Sequence, residues 1–252
     1  MTETPPFRFL APEWLDVVDS TSTLLRERQP RPVSGSVVAA VSQTRGRGRL
    51  GNAWHSPPDT DLTFSYLWTG AVSHVGAGTL SLVSGLALAD FLASIGLSPA
   101  CKWPNDILLG DAKIAGVLCE AAIASSGLLE MVVGIGLNVR SHPGRQAAVG
   151  RPVACIEDAT GAAWTPRKVL DALLVCLEKR INVWRREGFA SQAGDYVALM
   201  AGIGNAARVR VGNRIVEGVV AGIDMSGGVC VETPDGGNVT ITSVAALEDW
   251  GE

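Results

Sequence analysis

The sequence predicts an α+β fold: a mixed β-sheet packed with helices, followed by a small C-terminal β-barrel. Short β-branched runs recur through the first 140 residues and are separated by apolar segments with helical spacing. From about residue 204 the sequence changes to short β runs joined by glycine-rich turns. Since 47% of the 252 residues are apolar, the chain has enough apolar side chains for a sizeable core. We therefore expect two domains, at residues 1–203 and 204–252.

The first hundred residues are predicted to contain three strands and two helices. The strands are predicted at Trp14–Val18, Val37–Val41 and Leu62–Trp68, the first helix at Leu24–Gln29, and the second helix at about residues 78–95. The second helix is apolar enough to be considered as a membrane span. Because it contains Asp90 and three serines, we expect a buried helix instead.

A hairpin and a long strand are predicted to complete the sheet. Pro104 and the Asn105-Asp106 pair interrupt a strand and should direct Lys102 and Asp106 into a shared space. The elements that follow are a turn at Gly110-Asp111, strands at Lys113–Glu120 and Leu128–Val139, a surface loop at Ser141–Pro152, and helices from Thr165-Pro166 and at Ser191–Met200. The β runs of the predicted barrel are Ala207–Val211, Ile215–Ile223, Val229–Thr233 and Val239–Ile241.

Composition excludes several functional classes. The net charge of −4 argues against nonspecific binding to nucleic acid. Five scattered cysteines, with no Cys-x-x-Cys pair, favour reduced thiols in a cytosol over disulfides or a zinc site. The three histidines have no ligand or triad spacing, and the N-terminus shows no basic and apolar regions of an export signal.

Residues 43–54, Gln-Thr-Arg-Gly-Arg-Gly-Arg-Leu-Gly-Asn-Ala-Trp, carry the strongest functional signal. Three arginines alternate with glycines directly after the strand Val37–Val41. Glycine lets the backbone approach a ligand closely, and each arginine offers a planar fork that matches carboxylate or phosphate oxygens. The pattern predicts an anion-binding loop, although an ordinary solvated basic loop is an alternative interpretation.

The loop differs from two common phosphate-binding motifs. It lacks the terminal Gly-Lys-Ser/Thr of a Walker loop and the glycine spacing of the dinucleotide fingerprint. Gly134 and Gly136 supply two glycines of that fingerprint, but Val139 stands at the third position. Upstream, Ser20 and Thr21 are either helix N-caps or hydroxyls at the mouth of a pocket, and the sequence leaves both interpretations open.

Four stretches together resemble the biotin protein ligase family, the biotin–[acetyl-CoA-carboxylase] ligases. They are Asp19-Ser20-Thr21, Gln43 with Gly46-Arg47-Gly48-Arg49, Lys102-Trp103-Pro104-Asn105-Asp106 with Lys113-Ile114-Ala115-Gly116, and Gly134–Asn138. The motif Lys-Trp-Pro-Asn-Asp followed by Lys-x-Ala-Gly is highly specific, above all in this order after Gly-Arg-Gly-Arg. The C-terminal β runs fit the SH3-like barrel of that family, so the resemblance covers nearly the whole chain.

The resemblance implies a two-step ligase. Biotin would first be joined to AMP with release of pyrophosphate, and the mixed anhydride would then be attacked by a lysine of a biotin carboxyl carrier domain of an acyl-CoA carboxylase. Biotin and ATP would be the substrates and Mg²⁺ would accompany them, with no metal ligand among the site residues. We expect a cytoplasmic protein, a monomer or weak homodimer, without nucleic-acid or membrane partners.

The resemblance also assigns candidate site residues. Catalytic roles are expected for Lys113 and Arg49, whose positive charges would stabilise the phosphate and carboxylate oxygens. A catalytic role is also expected for Asp106, which would receive or orient the incoming amine as it loses a proton. Biotin is expected to contact Ser20, Thr21, Gln43, Gly46, Arg47, Lys113 and Gly116. The nucleotide is expected to contact Arg47, Arg49, Trp54, Asn105, Lys113, Gly136 and Asn138.

The chain departs from the family pattern at two places. Asn52 replaces the last arginine of the usual Gly-Arg-Gly-Arg-x-Gly-Arg, so one anion contact or loop-ordering contact is missing from the pattern. Fewer than twenty residues precede Asp19, so we expect no N-terminal winged-helix domain and no DNA binding.

Two other functions are alternatives. A lipoate- or octanoate-transferring enzyme shares the fold, but would favour an Arg-Arg-Gly-Gly-Gly loop or a cysteine nucleophile. Cys119 lies on the Lys113 strand and is interpreted as a small buried apolar residue. A non-catalytic biotin-sensing module would be expected to lose Lys113 or Asp106, and both are present.

Overall fold

Two β-sheets organise the part of the chain that the computed structural model describes, which is residues 5–71, 76, 78–124, 126–211, 213–242 and 247–250. A seven-stranded sheet is formed by the first half of the chain, and a five-stranded sheet is formed near the C-terminus. Helices pack on the larger sheet. The predicted fold class, a mixed sheet with helices and a second β unit, is confirmed.

The larger sheet has the strand order β1-β2-β3-β7-β6-β5-β4. β1 pairs in parallel with β2, and every other neighbouring pair in this sheet is antiparallel. Its strands are β1 (Glu13–Val18), β2 (Val37–Gln43), β3 (Asp61–Gly70), β4 (Pro99–Lys102), β5 (Asp106–Leu109), β6 (Ala112–Ile123) and β7 (Leu129–Asn138). The long strands β3, β7 and β6 lie side by side at its centre.

Helices cover both faces of this sheet. They are α1 (Thr21–Glu27), α2 (Thr79–Ser94), α3 (Arg145–Val149), α4 (Ile156–Thr160), α5 (Pro166–Glu187) and α6 (Ala193–Leu199). α2 packs against the sheet and against α5, which explains why it is apolar on nearly every side. On the opposite face, Leu25 of α1 packs against Val38, Leu67 and Val132. Among the helices of the described residues, none has the length and apolar character to cross a bilayer.

The C-terminal sheet is antiparallel, with the strand order β11-β10-β9-β8-β12. Its strands are β8 (Ala206–Val211), β9 (Arg214–Ile223), β10 (Val229–Glu232), β11 (Asn238–Ile241) and β12 (Leu247–Trp250). Its inward side chains, such as Val209 and Val231, join the same apolar core as α2 and α5. In the β9–β10 turn, the Gly227 carbonyl accepts a buried hydrogen bond of 2.9 Å from Trp103 Nε1. The C-terminal sheet therefore supports the Lys-Trp-Pro-Asn-Asp segment directly.

Most predicted elements are confirmed, and the differences have local causes. The helix predicted at Leu24–Gln29 begins earlier, at Thr21, because Ser20 occupies the N-cap position. The prediction of a surface loop at Ser141–Pro152 is partly wrong, since this segment contains α3 and the buried Arg145. The short helix α4 and the last strand β12 were not predicted.

The junction between the C-terminal sheet and α2 gives a test of packing. Gly227 has a φ of +84°, and a Cβ added there would lie 2.7 Å from Leu82 Cδ1. Gly227→Ala should lower the free energy of unfolding by about 1–2 kcal/mol for the left-handed backbone. Overpacking against Leu82 should add about 1–3 kcal/mol. Chemical denaturation measures the sum.

Gly236 provides the matched control for this substitution. Its φ is +79°, but no described atom lies within 4 Å of an added Cβ. Gly236→Ala should therefore lower the free energy of unfolding only by the cost of the left-handed backbone. Equal losses in the two variants would contradict tight packing at the junction.

Candidate active site

A cavity of about 300 Å³ opens where β2 and β7 end and β6 begins. Six lysines and arginines line it, namely Arg47, Arg49, Lys102, Lys113, Arg145 and Arg151. Among the described residues of this lining, Asp106 is the single carboxylate. The whole chain has a net charge of −4, so the positive excess in this lining is opposite in sign to the charge of the protein as a whole. Such a cavity attracts an anionic ligand.

Neutral hydrogen-bonding side chains form one end of the cavity. Gln43 Oε1 accepts hydrogen bonds from the Thr21 backbone N–H at 2.8 Å and from the Thr21 hydroxyl at 3.2 Å. Thr21 Oγ1 also lies 2.7 Å from Ser65 Oγ. Ser20 holds the N-cap position of α1 but makes no side-chain capping bond, and it lines the cavity. Of the two interpretations of Ser20, the geometry favours a hydroxyl at the pocket.

The glycine–arginine loop is closed by its own backbone hydrogen bonds. The Trp54 N–H donates to the Gly46 carbonyl at 3.0 Å, and the Gly48 N–H donates to the Asn52 carbonyl at 2.7 Å. A Cβ at Gly46 would lie 2.5 Å from the Trp54 carbonyl oxygen, so this close approach requires glycine. Asn52, the residue that departs from the family pattern, thus helps to close the loop through its main chain.

The Arg47 guanidinium is bound to a carboxylate on β6. Its Nη1 and Nη2 atoms donate to Glu120 Oε1 at 2.9 Å and Oε2 at 2.6 Å. Glu120 also accepts a hydrogen bond of 3.0 Å from Arg26 of α1. Such charge-assisted pairs are the stronger hydrogen bonds, so Glu120 ties the loop, α1 and the sheet together. A direct contact between Arg47 and a ligand stays a prediction.

Arg49 lies beside the Lys-Trp-Pro-Asn-Asp turn. Its Nη1 donates a long hydrogen bond of 3.4 Å to Asn105 Oδ1, and the Asn105 amide nitrogen donates to the Val117 carbonyl at 3.2 Å. Burial lowers the pKa of Arg49, while nearby Asp106 raises it. Arginine stays charged at neutral pH even so. Arg49 is therefore a partly desolvated cation with a weak neutral partner, which suits binding of an anion.

An ion pair between Lys113 and Asp106 lies at the middle of the cavity. Lys113 Nζ donates to Asp106 Oδ1, and the two side chains are only 12% and 15% exposed. Arg151 lies 3.6 Å from the second oxygen of Asp106. Lys102 is opposite Asp106 in the β4–β5 pairing, so the predicted shared space is confirmed. Burial lowers the pKa of Lys113, whereas Asp106 raises it.

Two glycines form the floor beneath this ion pair. Gly116 and Gly136 are direct partners across β6 and β7. A Cβ at Gly136 would lie 2.2 Å from Trp54 Cε2, and one at Gly116 would lie 3.0 Å from Lys113 Nζ. Lys113 Nζ is 5.5 Å from the Trp54 ring centroid. The close approach that these glycines permit is thus made by Trp54 and Lys113, and any side chain on the floor would displace them.

Asn138, the last residue of β7, also lines the cavity, and its amide orientation is fixed. Its nitrogen donates to the Lys113 carbonyl at 3.3 Å and to the Ala154 carbonyl at 2.8 Å. Carbonyl oxygens only accept hydrogen bonds, so the nitrogen must face them. The amide oxygen is then the atom that can accept a hydrogen bond from an amino group of a ligand.

Next to Asn138 lies a buried ion pair that sequence analysis missed. Asp61 Oδ1 accepts hydrogen bonds from Arg145 Nη2 and from the Val139 N–H, the latter at 3.3 Å. The side chains of Asp61 and Arg145 are 0% and 6% exposed. Burial raises the pKa of Asp61 to about 6, although Arg145 lowers it. Arg145 also lines the cavity.

Family models of known proteins match the stretches of the chain that form this cavity. The model of the Biotin/lipoate A/B protein ligase family matches residues 14–138, and that of the Biotin protein ligase C terminal domain matches residues 202–246. The biotin–[acetyl-CoA-carboxylase] ligase of Mycobacterium tuberculosis is 34% identical, over 91% of this chain and 86% of that relative. The chain belongs to the biotin protein ligase family.

A solved structure and a further relative support the same family assignment. A biotin protein ligase from Aquifex aeolicus, in complex with biotin and ATP, is 28% identical with a TM-score of 0.78, over 95% of this chain and 98% of that one. The bifunctional ligase/repressor BirA of Escherichia coli is 30% identical over 86% of this chain and 68% of its own length. The family and the ligase class predicted from the sequence are confirmed.

The alternative of a cysteine-dependent transferase in this fold finds no support in the geometry. Burial, together with the smaller effect of the neighbouring Glu120 carboxylate, raises the pKa of the Cys119 thiol to about 12. A thiol in that state is not a nucleophile at neutral pH. The match to a biotin protein ligase C-terminal domain points the same way.

The structure brings the predicted site residues of this biotin ligase family member to one cavity. Those that line it are Ser20, Thr21, Gln43, Arg47, Arg49, Trp54, Asn105, Asp106, Lys113, Gly116, Gly136 and Asn138, while Gly46 lies behind it against Trp54. Their individual roles stay predictions. Sequence analysis missed Glu120, Asp61, Arg145 and Arg151, which have no motif of their own.

The raised pKa of Asp61 predicts a pH-dependent contribution to stability. An aspartate in the unfolded chain has a pKa of about 3.9. In the folded chain, the pKa of Asp61 is about 6. Its contribution is therefore complete below pH 4 and is lost as the pH rises through 6. Between pH 7.5 and pH 5 the wild type should gain roughly 1 kcal/mol of unfolding free energy relative to Asp61→Asn. Urea denaturation at both pH values measures the change.

Asp224 gives the control for this measurement. Although burial raises the pKa of Asp224, hydrogen bonds from Ser226 and Gly228 outweigh that effect and lower it. This carboxylate titrates below the chosen window, so the difference between wild type and Asp224→Asn should not change there. If the Asp61→Asn difference is also constant, the raised pKa is wrong.

Proposed function

We propose that this chain activates biotin with ATP to biotinyl-5′-AMP and then transfers biotin to a specific lysine of a biotin carboxyl carrier domain. The proposal rests on one observation: three kinds of binding group line the same cavity. A neutral hydrogen-bonding end at Thr21 and Gln43 suits a ureido ring, the central cations suit a carboxylate and phosphates, and the amide of Asn138 suits a purine amino group.

In the first step, a carboxylate oxygen of biotin attacks the α-phosphorus of ATP. The new O–P bond forms as the bond to the β-phosphate oxygen breaks, and pyrophosphate leaves. Lys113 and Arg49 stabilise the negative charge that develops around the phosphorus. Because Lys113 is paired with Asp106, the anionic ligands compete with Asp106 for its ammonium group.

In the second step, the amine nitrogen of the carrier lysine attacks the carbonyl carbon of the mixed anhydride. The C–O bond to the phosphate breaks, and AMP leaves with the electron pair. The amine is protonated at neutral pH and must lose a proton before it reacts. Once the ligands have drawn Lys113 away, Asp106 is free to accept that proton.

We propose binding roles for the other residues from their positions. Ser20, Thr21 and Gln43 hold the ureido ring, and Gly46 permits the close loop that covers it. Arg47 acts on biotin and phosphate mainly by fixing the loop through Glu120. For the nucleotide, Asn105 orients Arg49, Trp54 packs against the adenine above Gly136, and the Asn138 oxygen accepts from the adenine amino group.

Mg²⁺ is proposed to enter with the triphosphate. This ion takes oxygen ligands, keeps several waters, and is usually held by substrate phosphates with one or two carboxylates. Asp106 is paired with Lys113, and the amide oxygen of Asn105 accepts from Arg49, so the phosphates themselves would hold the ion. No described group of three or more His, Cys, Asp and Glu side chains forms a metal cage. When bound, Mg²⁺ neutralises phosphate charge.

We further propose the domain limits, the cellular location and the oligomeric state of the chain. We propose a catalytic domain at residues 1–203 and a C-terminal domain at residues 204–252, supported by the gap between α6 and β8. A cytoplasmic location is supported by the need for ATP and by the scattered cysteines. We also propose a monomer or weak homodimer, and the net charge of −4 supports the absence of a nucleic-acid partner.

Incubation with biotin, ATP-Mg and a biotin carboxyl carrier domain tests the proposed function. Mass spectrometry should show one biotinyl group on the carrier. Lys113→Ala should reduce this modification by roughly 10²–10³, as expected for loss of one preorganised charge donor. A carrier that is modified with lipoate but not with biotin would overturn the assignment.

Asp106→Asn should separate the two steps. Only the second step handles an amine proton, so pyrophosphate release in a single turnover should survive while carrier modification falls by roughly 10²–10⁴. Asp111→Asn, an exposed position in the β5–β6 turn, is the matched control and should leave both rates unchanged. Equal loss of both steps in Asp106→Asn would mean that this carboxylate only builds the site.

A further inference from the structure

We propose that Asp61 and Arg145 form a positioning pair that fixes one wall of the cavity, residues 139–153, and thereby sets the affinity for ATP and not for biotin. The inference rests on the proposed function, which places the nucleotide at this end. Neither residue belongs to a motif of the sequence. Both are positioning residues, because they act through the wall and through Asn138.

One carboxylate holds the wall at two points. Asp61 Oδ1 accepts from the N–H of Val139, where the wall begins, and from Arg145 Nη2 at its middle. Arg145 Nη1 donates in turn to the Arg140 carbonyl at 2.8 Å. The planar guanidinium thus bridges the strand β3 and the first turn of the wall.

The far end of the wall is held by the strand that carries Lys113. The Lys113 N–H donates to the Pro152 carbonyl at 3.1 Å, and the Ala154 N–H donates to the Lys113 carbonyl at 2.9 Å. Between these fixed ends, the side chains of Val149 and Arg151 line the cavity. The Asp61–Arg145 pair is therefore the midpoint support of a segment whose ends are tied to the sheet by backbone bonds.

The pair is also adjacent to the amide that would accept from adenine. Asp61 and Asn138 are direct partners across β3 and β7, and Val139 follows Asn138 in the chain. The Asn138 amide also donates to the Ala154 carbonyl, directly after the wall, at 2.8 Å. A shift of the wall would therefore move Arg151 and disturb the orientation of the Asn138 amide. Thr21 and Gln43 lie at the opposite end, on α1 and β2, and have their own hydrogen bonds. Biotin binding should not depend on the wall.

Positioning explains this pair better than stability does. Burying two charges is costly, and a buried ion pair can often be replaced by apolar residues without loss of stability. Within the described structure, Arg145 Nε has no hydrogen-bond partner, so the pair is not fully satisfied. What the pair provides is the position of the cavity wall, residues 139–153.

The test compares Arg145→Gln with Arg180→Gln. Arg180 is 16% exposed and binds Asp90 through two hydrogen bonds of 2.7 and 2.9 Å, and it does not line the cavity, so it controls for loss of a buried ion pair. In ATP–pyrophosphate exchange, Arg145→Gln should raise the KM for ATP roughly 10–100-fold, since small misplacements have such effects. Biotin affinity, measured by calorimetry without ATP, should change less than twofold. Arg180→Gln should change neither.

Two further variants keep the test decisive if Arg145→Gln does not fold. Arg145→Lys keeps the charge but has one nitrogen in place of the two guanidinium nitrogens that bind Asp61 and the Arg140 carbonyl, so it should raise the KM for ATP as well. The double variant Asp61→Asn with Arg145→Gln restores a neutral hydrogen-bonded pair and should recover part of the ATP affinity lost in Arg145→Gln.

The two proposals fail in different ways. An unchanged KM for ATP in folded Arg145 variants, or an equal loss of ATP and biotin affinity, overturns the positioning role while the wild type still catalyses exchange. A wild type that shows no biotin-dependent exchange overturns the proposed function instead.

Discussion

Repulsion among cations is the constraint on which the rest of this site depends. Six lysines and arginines line one small cavity, and such a group would be unfavourable without compensation. Among the described residues, three carboxylates pair with four of these cations: Glu120 with Arg47, Asp106 with Lys113 and Arg151, and Asp61 with Arg145. All three carboxylates stand on strands of the larger sheet, but Glu120 and Asp61 do not line the cavity. Asp106 is the described carboxylate that does line it, which is why it is the one suited to chemistry.

The sheet and the helices were predictable because their signals are local. Periodicity and turn residues located β2, β3, β6, β7, α2 and α5, and contiguous motifs located Lys113, Asp106 and the glycine–arginine loop. Arg145 was assigned to a surface loop because Pro, Gly and Arg around it indicate exposure. Its burial depends on Asp61, 84 residues earlier, and no local pattern encodes that contact. Glu120 escaped notice for the same reason, since its partners are Arg26 and Arg47.

The C-terminal sheet has a direct connection to the site. Trp103 belongs to the segment that carries Lys102 and Asp106, and its indole N–H reaches the Gly227 carbonyl in the β9–β10 turn. Gly227 in turn packs against Leu82 of α2. The apolar core is continuous across this junction. The position of the Lys102–Asp106 segment is therefore set by the C-terminal sheet as well as by the larger sheet and α2. A change in the C-terminal sheet therefore has a physical route to Asp106.

The backbone closure of the glycine–arginine loop has a thermodynamic consequence. Glycine-rich segments lose much conformational entropy when they become ordered. Here the hydrogen bonds between Gly46 and Trp54 and between Gly48 and Asn52 fix much of the loop through contacts within the chain itself. Less ordering is then left for the moment of ligand binding, so more of the intrinsic interaction energy is retained as affinity. Because Asn52 accepts from Gly48 through its main-chain carbonyl, this closure of the loop does not depend on which side chain stands at position 52.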